Sequence, residues 1–311
     1  MRRCPRLVLT SVLGSLALLA GCGSTDAGSG AGPGSGGLEV EAAFYPLQWL
    51  AEQVGGDLVT VSNLTRSGAE PHDLELTPRD VAALADADVV VYVSGFQPAL
   101  DDAVAESDAT AFEAGASAGL DLTYTPIEEG EQHQDEAGST DPHFWLDPTR
   151  LAKVAESFAD TLAAEDPDNA ETYEKNAQAL VADLEELDAE LEAGLADCTS
   201  KDVVTSHNAF GYLAERYGME QVGITGLTPE DEPSAAQLAE VTKFVEDNDV
   251  RTIYFETLVS PDVAETVADE AGVETAVLDP IEGLTDASQG DDYLEVMRSN
   301  LKSLQTGQPC P

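Results

Sequence analysis

Histidine side chains are the groups of this sequence best suited to hold a metal ion, because neutral imidazole is a common ligand of zinc and related cations. His72, His143 and His207 each stand just beyond a predicted strand or just before a predicted helix, where open α/β sheets bind ligands. Asp279 takes the equivalent place at the end of a later predicted strand. Three imidazoles and one carboxylate at such points predict a site for a divalent cation of borderline softness.

The elements that must position these side chains alternate between two kinds of pattern. Apolar runs rich in Val, Ile and Tyr predict β-strands at residues 58–64, 87–94, 202–207, 250–257 and 273–279. Helical patterns lie between them, at residues 46–55, 77–87, 208–218, 233–248 and 260–272, and several open with Ser or Thr followed by Pro. This alternation predicts an α/β fold with parallel sheets covered by helices.

A long amphipathic helix separates the two halves of the chain. After Asp166 and Pro167, apolar residues recur every three or four positions, at Tyr173, Ala177, Leu180, Leu184, Leu187, Leu191 and Leu195. The stripe predicts one helix of about 28 residues, some 40 Å long, that packs along both halves. Pairing with a partner helix in a coiled coil is the alternative.

The N-terminus has the pattern of a secretory signal. Arg2, Arg3 and Arg6 precede an uncharged apolar stretch over residues 7–20, which is shorter than the ~20 residues that span a bilayer. Residues 19–22, Leu-Ala-Gly-Cys, resemble the lipobox of bacterial lipoproteins, which implies removal of residues 1–21 and lipidation of Cys22. A Gly/Ser-rich stretch over residues 22–37 then predicts a flexible tether.

Two cysteines are left once the signal is removed and Cys22 is lipidated. In an exported protein, Cys198 and Cys310 are most simply joined by a disulfide that ties the end of the chain to the start of its second half. A metal site built on the two cysteines is the alternative, but the sequence offers no CxxC spacing and no adjacent histidine.

Charge excludes one large class of partner. The 311 residues include 14 Lys plus Arg against 60 Asp plus Glu, a formal net charge of -46, although 42% of residues are apolar and can build a core. A surface this acidic repels the phosphate backbone, so nucleic acid is not expected as a partner. It attracts dissolved cations, within the limits that salt screening sets.

Five segments carry a resemblance to a known family, and they occur in order from about residue 38 to the C-terminus. They are GAEPHDLELTPRD (68–80), DPHFWLDP (141–148), SHNAFGYLAERYGM (206–219), GLTPEDEPSAAQL (226–238) and LDP (278–280). They resemble the signature segments of the zinc and manganese substrate-binding proteins of bacterial ABC importers, the cluster A-I or ZnuA/TroA-like family. The resemblance implies two α/β lobes, each a mostly parallel sheet with flanking helices, joined by one long rigid helix.

Domain boundaries follow from this resemblance and from the patterns above. We expect an N-terminal lobe over residues 38–166, a linking helix over 167–197 and a C-terminal lobe over 198–311.

The resemblance also assigns the metal ligands, which fall on His72, His143, His207 and Asp279. A histidine at the third position is similar to the zinc-type members, whereas manganese-type members more often have Glu there. Zn²⁺ is therefore the expected bound substrate, with Mn²⁺ as the alternative.

Accessory residues of the site are less sharply defined. Glu70 and Glu256 are candidates to orient ligand imidazoles as hydrogen-bond acceptors, or to act instead as a helix cap or a bridge between lobes. Many zinc-type relatives carry a histidine-rich acidic loop before the second ligand. Residues 127–143 hold only His133 and several acids at this place, so a role in metal capture is expected to be weak.

The function implied by the resemblance is capture of Zn²⁺ outside the cell membrane and its delivery to an ABC permease with its ATPase. We expect a lipid-anchored monomer on the extracytoplasmic face that is not an enzyme. A secreted zinc hydrolase is the rival from another class, but HExxH is absent and a fourth protein ligand would take the place of the catalytic water. A surface adhesin without a transport role is a second rival.

Overall fold

The computed structural model describes residues 37–127 and 137–310. The predicted signal, Cys22, most of the predicted tether and His133 lie outside these residues. Among the described helices, none combines the length and the apolar character that crossing a membrane requires.

The first half of the chain builds a parallel four-stranded sheet in the order β2-β1-β3-β4. Its elements are β1 (Leu38–Ala42), α1 (Tyr45–Gly55), β2 (Val59–Asn63), α2 (Pro78–Asp86), β3 (Val89–Tyr92), α3 (Pro98–Glu106), β4 (Thr110–Glu113) and α4 (Ala114–Ala118). Thr77 caps α2 by accepting a hydrogen bond from the Asp80 backbone, and the Asp80 side chain accepts one from Thr77 in return. The cap fixes where the loop that carries His72 ends.

Two antiparallel helices connect the halves, α5 (Pro148–Glu165) and α6 (Ala170–Leu195). A short 3₁₀ turn over Pro167–Asn169 precedes α6, which therefore has 26 residues, close to the predicted length. All seven residues of the predicted apolar stripe are buried. Helix α6 packs against α5, α1 and a C-terminal helix, α10 (Tyr293–Gly307), so its apolar face is covered within the chain.

The second half repeats the strand order of the first as β6-β5-β7-β8, again all parallel. Its elements are β5 (Asp202–Thr205), α7 (Gly211–Arg216), β6 (Glu220–Gly223), α8 (Ala235–Asp247), β7 (Thr252–Phe255), α9 (Asp262–Ala271), β8 (Glu274–Val277) and α10 (Tyr293–Gly307). The predicted fold class, two parallel sheets with flanking helices and a long helix between them, is confirmed.

The hydrophobic interior is divided differently from the sheets. One cluster runs from the first sheet through α5 and α6 into the second half, where it includes Tyr254, Tyr293 and Leu304. A separate, smaller cluster fills the outer side of the second sheet beneath α8 and α9, around Val241 and Ile253. The two halves therefore share most of one core, rather than each having its own.

A disulfide joins Cys198, just after α6, to Cys310 at the end of the described chain. Backbone contacts run beside it, because the Thr199 N–H donates to the Pro309 carbonyl at 3.2 Å. The last residues are thus held against the start of the second half.

Candidate metal centre

Three histidines and one glutamate converge between the two sheets. One ligand atom from each of His72, His143, His207 and Glu282 lies within 4.8 Å of the others. Glu282 Oε1 is 3.5 Å from Nε2 of His72 and 3.3 Å from Nε2 of both His143 and His207. The side chains of His143 and Glu282 are fully buried, and that of His72 is 8% exposed.

His72 lies in the loop between β2 and α2. Its backbone N–H donates to Glu70 Oε1 at 3.1 Å, and its ring packs edge-on against Phe96 with centroids 4.4 Å apart. Glu70 therefore holds the backbone of His72 rather than its imidazole.

His143 begins the 3₁₀ turn Phe144–Leu146 that leads into α5. Asp141 Oδ1 accepts hydrogen bonds from both the backbone N–H of His143, at 2.9 Å, and its ring Nδ1, at 2.8 Å. One carboxylate oxygen thus fixes both the main chain and the ring, and it directs Nε2 towards the centre.

His207 lies directly beyond β5, in the turn before α7. Its ring Nδ1 is 2.8 Å from Glu256 Oε1, so this carboxylate orients the imidazole. Its carbonyl accepts from the Thr205 hydroxyl at 2.7 Å and from Gln221 Nε2 at 3.0 Å. The residue is thereby held through both its backbone and its side chain.

The carboxylate at the centre belongs to Glu282, not to Asp279 as predicted. Asp279 Oδ2 accepts from the hydroxyls of Thr257 and Ser288, each at 3.0 Å, and its Oδ1 accepts from the Ile281 N–H at 2.8 Å. These bonds use Asp279 to shape the loop. Ile281 has φ +59°, and this left-handed turn brings the next residue, Glu282, into the site.

The buried imidazoles and carboxylates at the centre shift one another's pKa values. Although burial opposes it, the three imidazoles hold the pKa of Glu282 well below its usual range. Burial also opposes a charged His207, but Glu256 and Glu282 outweigh it and raise the pKa of this imidazole well above its usual range. The pKa of His143 is raised in the same way by Asp141 and Glu282, whereas burial lowers that of His72.

Several buried atoms at the centre have no hydrogen-bond partner among the described residues. They are Nε2 of His72, His143 and His207 and both carboxylate oxygens of Glu282. Unsatisfied buried polar atoms are costly, and a cluster of them converging on one point has the donor set of a transition-metal site.

Two residues of this arrangement escaped the sequence analysis. Asp141 stands two positions before His143 in Asp-Pro-His, a spacing that could have suggested a carboxylate partner. Glu282 stands three positions beyond the predicted ligand, and no pattern in the sequence distinguishes it from other acids.

A wedge of aromatic side chains closes the interface beside the centre. The Trp145 indole N–H donates to the Pro280 carbonyl at 2.8 Å, and the Tyr293 hydroxyl donates to the Trp145 carbonyl at 2.6 Å. On the other side, a cleft of about 830 Å³ reaches His72 between Phe96, Pro142 and Leu227. This cleft gives one approach to the centre, from the His72 side.

Comparison with known proteins gives a consistent family assignment. The family model described as zinc-uptake complex component A, periplasmic, matches residues 40–307. The zinc-binding lipoprotein AdcA of Streptococcus pneumoniae is 41% identical over 279 residues, which cover 87% of this chain and 56% of AdcA. The high-affinity zinc uptake system protein ZnuA of Bacillus subtilis is 37% identical over 298 residues, covering 93% of each chain.

Solved structures show the same likeness. The laminin-binding protein Lmb of Streptococcus agalactiae, described as having adhesin and metal-transporting activity, matches with a TM-score of 0.78 at 35% identity and covers 88% of this chain and 99% of Lmb. The Zn(II)-bound ZnuA-like domain of S. pneumoniae AdcA matches with a TM-score of 0.72 at 39% identity, covering 88% and 99%.

This chain spans little more than half the length of its AdcA relatives, but nearly the whole of ZnuA. The family match covers both sheets, the helices between them and all four residues of the converging cluster. The chain belongs to the zinc-uptake complex component A family.

Proposed function

We propose that this protein captures Zn²⁺ outside the cell membrane and delivers it to an ABC permease with its ATPase. The observation that carries the proposal is the buried convergence of three imidazole nitrogens on one carboxylate. Its relatives AdcA and ZnuA, named as zinc-binding and zinc-uptake proteins, support it.

The proposed ligands are His72, His143, His207 and Glu282, two from each half of the chain. Asp141 and Glu256 each face the Nδ1 atom of a ligand ring, which leaves Nε2 with its lone pair for the metal. Four protein ligands fill a tetrahedral coordination sphere, so no position is left for a catalytic water. The site is therefore suited to carry an ion rather than to perform bond chemistry.

Zinc is the preferred cargo because three of the four ligands are nitrogen, whereas manganese favours sites richer in oxygen. The test is dialysis of the metal-free protein against equal concentrations of Zn²⁺ and Mn²⁺, followed by measurement of the bound metal by mass spectrometry. We expect one zinc ion per chain. Retention of manganese instead of zinc would overturn the assignment.

Anchoring to the extracytoplasmic face through Cys22 belongs to the same proposal. The lipobox-like segment before Cys22 supports it, and so does the description of AdcA as a lipoprotein. We expect labelled fatty acid to be incorporated into the unaltered chain, and Cys22→Ser to release a monomeric protein into the soluble fraction. Deletion of the gene should arrest growth in zinc-poor medium, and added zinc should restore it.

Adhesion is a second candidate, favoured by the likeness to Lmb and its described adhesin activity. It is tested by measuring binding of the purified zinc-loaded protein to immobilised laminin. Normal growth of the deletion strain in zinc-poor medium together with lost laminin binding would favour adhesion over transport.

A further inference from the structure

His143, a proposed ligand from the first half, is oriented by a carboxylate that itself rests on the second half. Asp141 holds both the backbone and the ring of His143. It lies at the foot of a short antiparallel stem in which the Asp141 N–H donates to the Leu122 carbonyl at 3.0 Å. Thr123 pairs with Thr140 in the middle of that stem.

A tyrosine hydroxyl from α7 closes the foot of this stem. Tyr212 Oη accepts from the Leu122 N–H at 3.3 Å and donates to the Asp141 carbonyl at 3.1 Å. The Tyr212 hydroxyl thus extends the hydrogen-bond pattern of the stem by one position, with a side chain in place of a backbone group. The ring is fully buried, and the Arg150 guanidinium lies 4.4 Å from its centroid, so the hydroxyl is held in position.

The residue before this tyrosine makes room for the carboxylate. A Cβ atom on Gly211 would lie only 2.5 Å from Asp141 Oδ2 and 3.5 Å from Leu122 Cδ1. Because Asp141 Oδ1 is already bound twice by His143, the carboxylate cannot turn away from a new methyl group without disturbing that ligand. Glycine is therefore required by the close approach of α7 to Asp141, and not by its backbone angles.

We propose that Gly211 and Tyr212, at the start of α7, are positioning residues for the metal ligand His143 and act on it through Asp141. The proposal rests on the ligand set given under the proposed function. It makes the geometry of a ligand in one half depend on how the other half is docked.

The first test measures Zn²⁺ affinity by competition with a chromophoric chelator. Tyr212→Phe removes both hydrogen bonds of the hydroxyl and should weaken binding about two- to tenfold. Asp141→Ala should weaken it by about 10- to 100-fold, as expected for the partner of a ligand imidazole. Gly211→Ala should fall between the two variants or match Asp141→Ala.

Tyr217→Phe is the matched control, because this tyrosine lies five positions further on and also donates its hydroxyl to a residue of another element. Its partner is Asp188 on α6, at 3.0 Å, and not Asp141. Its zinc affinity should stay within about twofold of the unaltered chain. An equal loss in Tyr217→Phe and Tyr212→Phe would show that general docking of α7 is responsible, and would overturn the proposal.

A double-mutant comparison separates positioning from mere stability. If Tyr212 acts through Asp141, Tyr212→Phe should have no further effect on zinc affinity in the Asp141→Ala background. The same loss in both backgrounds would overturn the proposal.

A second readout needs no metal. The chain has four histidines, so ¹⁵N-histidine labelling gives a spectrum in which the His143 ring is assigned from its loss in His143→Ala. In the metal-free protein we expect Tyr212→Phe and Gly211→Ala to shift the His143 Nδ1 resonance, and Tyr217→Phe to leave it in place. Unchanged His143 resonances in both of the first two variants would overturn the proposal.

The two readouts also separate this inference from the proposed function. Shifted His143 resonances in a chain that binds no zinc would retain the positioning role and reject zinc capture. Tight zinc binding by the unaltered chain, with no effect of either α7 variant, would support zinc capture and reject the positioning role.

Discussion

The two halves of the molecule repeat one strand order but fill their interiors differently. The first sheet is continuous with the core that runs along α5 and α6 and into the second half. The second sheet shares that core on its inner side, but packs α8 and α9 over a separate cluster on its outer side. The first sheet thus faces one hydrophobic cluster, whereas the second sheet faces two.

This difference indicates which part of the structure can move with the smallest loss of buried contacts. Opening the site by moving whole lobes would break the shared core, which includes the fully buried Trp145, Leu187 and Tyr293. Displacing the layer of α8 and α9 would disturb only the smaller cluster. We therefore expect motion to concentrate in the outer layer of the second half.

Each half contributes two of the four proposed metal ligands, and the largest predicted effects come from removing one ligand from either half. Glu282→Ala removes the carboxylate that the second half contributes. It should weaken zinc binding by more than ~100-fold, because ~100-fold is already the upper range for losing only the hydrogen-bond partner of a ligand. His72→Ala, on the side of the first half, should weaken it comparably. Competition titrations of the two variants measure this directly.

Asp279→Asn is the control for that experiment. It preserves the shape of a side chain that holds the loop through Thr257, Ser288 and Ile281, but does not touch the proposed ligand set. A loss of zinc affinity larger in Asp279→Asn than in Glu282→Ala would return the ligand role to Asp279.

The shared core is tested by Leu187→Ala on α6. This side chain is fully buried on a helix that packs against helices of both halves, so its truncation should lower the free energy of unfolding by about 2–5 kcal/mol. Hydrogen exchange should quicken in the strands of both sheets. Chemical denaturation and exchange mass spectrometry measure the two effects.

Val267→Ala in the outer cluster is the matched truncation. It should cost about 2 kcal/mol or less, with faster exchange confined to α8, α9 and their strands. If Leu187→Ala loosened only one sheet, the halves would have separate cores after all.

The disulfide belongs to the second half alone. Replacing Cys198 and Cys310 together with Ala should lower the free energy of unfolding by about 2–4 kcal/mol, because the bond closes a loop with a sequence separation of 112. Denaturant titration with and without reductant measures the loss. Zinc affinity should be unchanged, since the bond lies away from the four proposed ligands.

Protons should compete with zinc unequally at the individual imidazoles. The pKa of His207 is raised well above its usual range in the absence of metal, since Glu256 and Glu282 outweigh its burial, whereas burial lowers the pKa of His72. As pH falls, His207 takes up its proton first and zinc affinity drops by about tenfold per pH unit for each proton displaced. The decline should begin above pH 6.5.

Zinc titrations from pH 8 to 5 measure this decline, and histidine spectra of the metal-free chain give the order in which the rings titrate. An affinity that stays constant down to pH 5, or protonation of His72 before His207, would contradict the prediction.

Sequence patterns predicted five of the eight described strands and the long helix α6, but not α3 or α10. The stripe of α6 was read correctly because one face of a long helix is buried at every turn. The strands β1, β4 and β6 were missed. Each has only four or five residues and includes Glu, and β1 lies inside its sheet despite Glu39 and Glu41. The polar residues in these strands hid the strand pattern, because the place of each strand in its sheet is set by pairing with strands that are distant in the sequence.

The residues of the site also fall into those that the sequence predicted and one that it did not. His72, His143 and His207 could be predicted because each follows a motif in a turn next to a strand or helix. Glu282 could not, because its place depends on the left-handed backbone of Ile281 and on the bonds that Asp279 makes across the loop. The rule that ligands follow strand ends favoured Asp279, which is nearer to β8.

The aromatic wedge gives the protein an optical signal of its own. The chain has two tryptophans, and Trp145 lies with its ring 5.2 Å from that of His143, whereas Trp49 stacks on Tyr293. A protonated imidazole quenches the emission of a nearby indole, and a metal-bound imidazole affects this emission differently. Loading of the site should therefore change the fluorescence of Trp145. Binding can then be followed in real time without any added dye, and Trp145→Phe would silence the change.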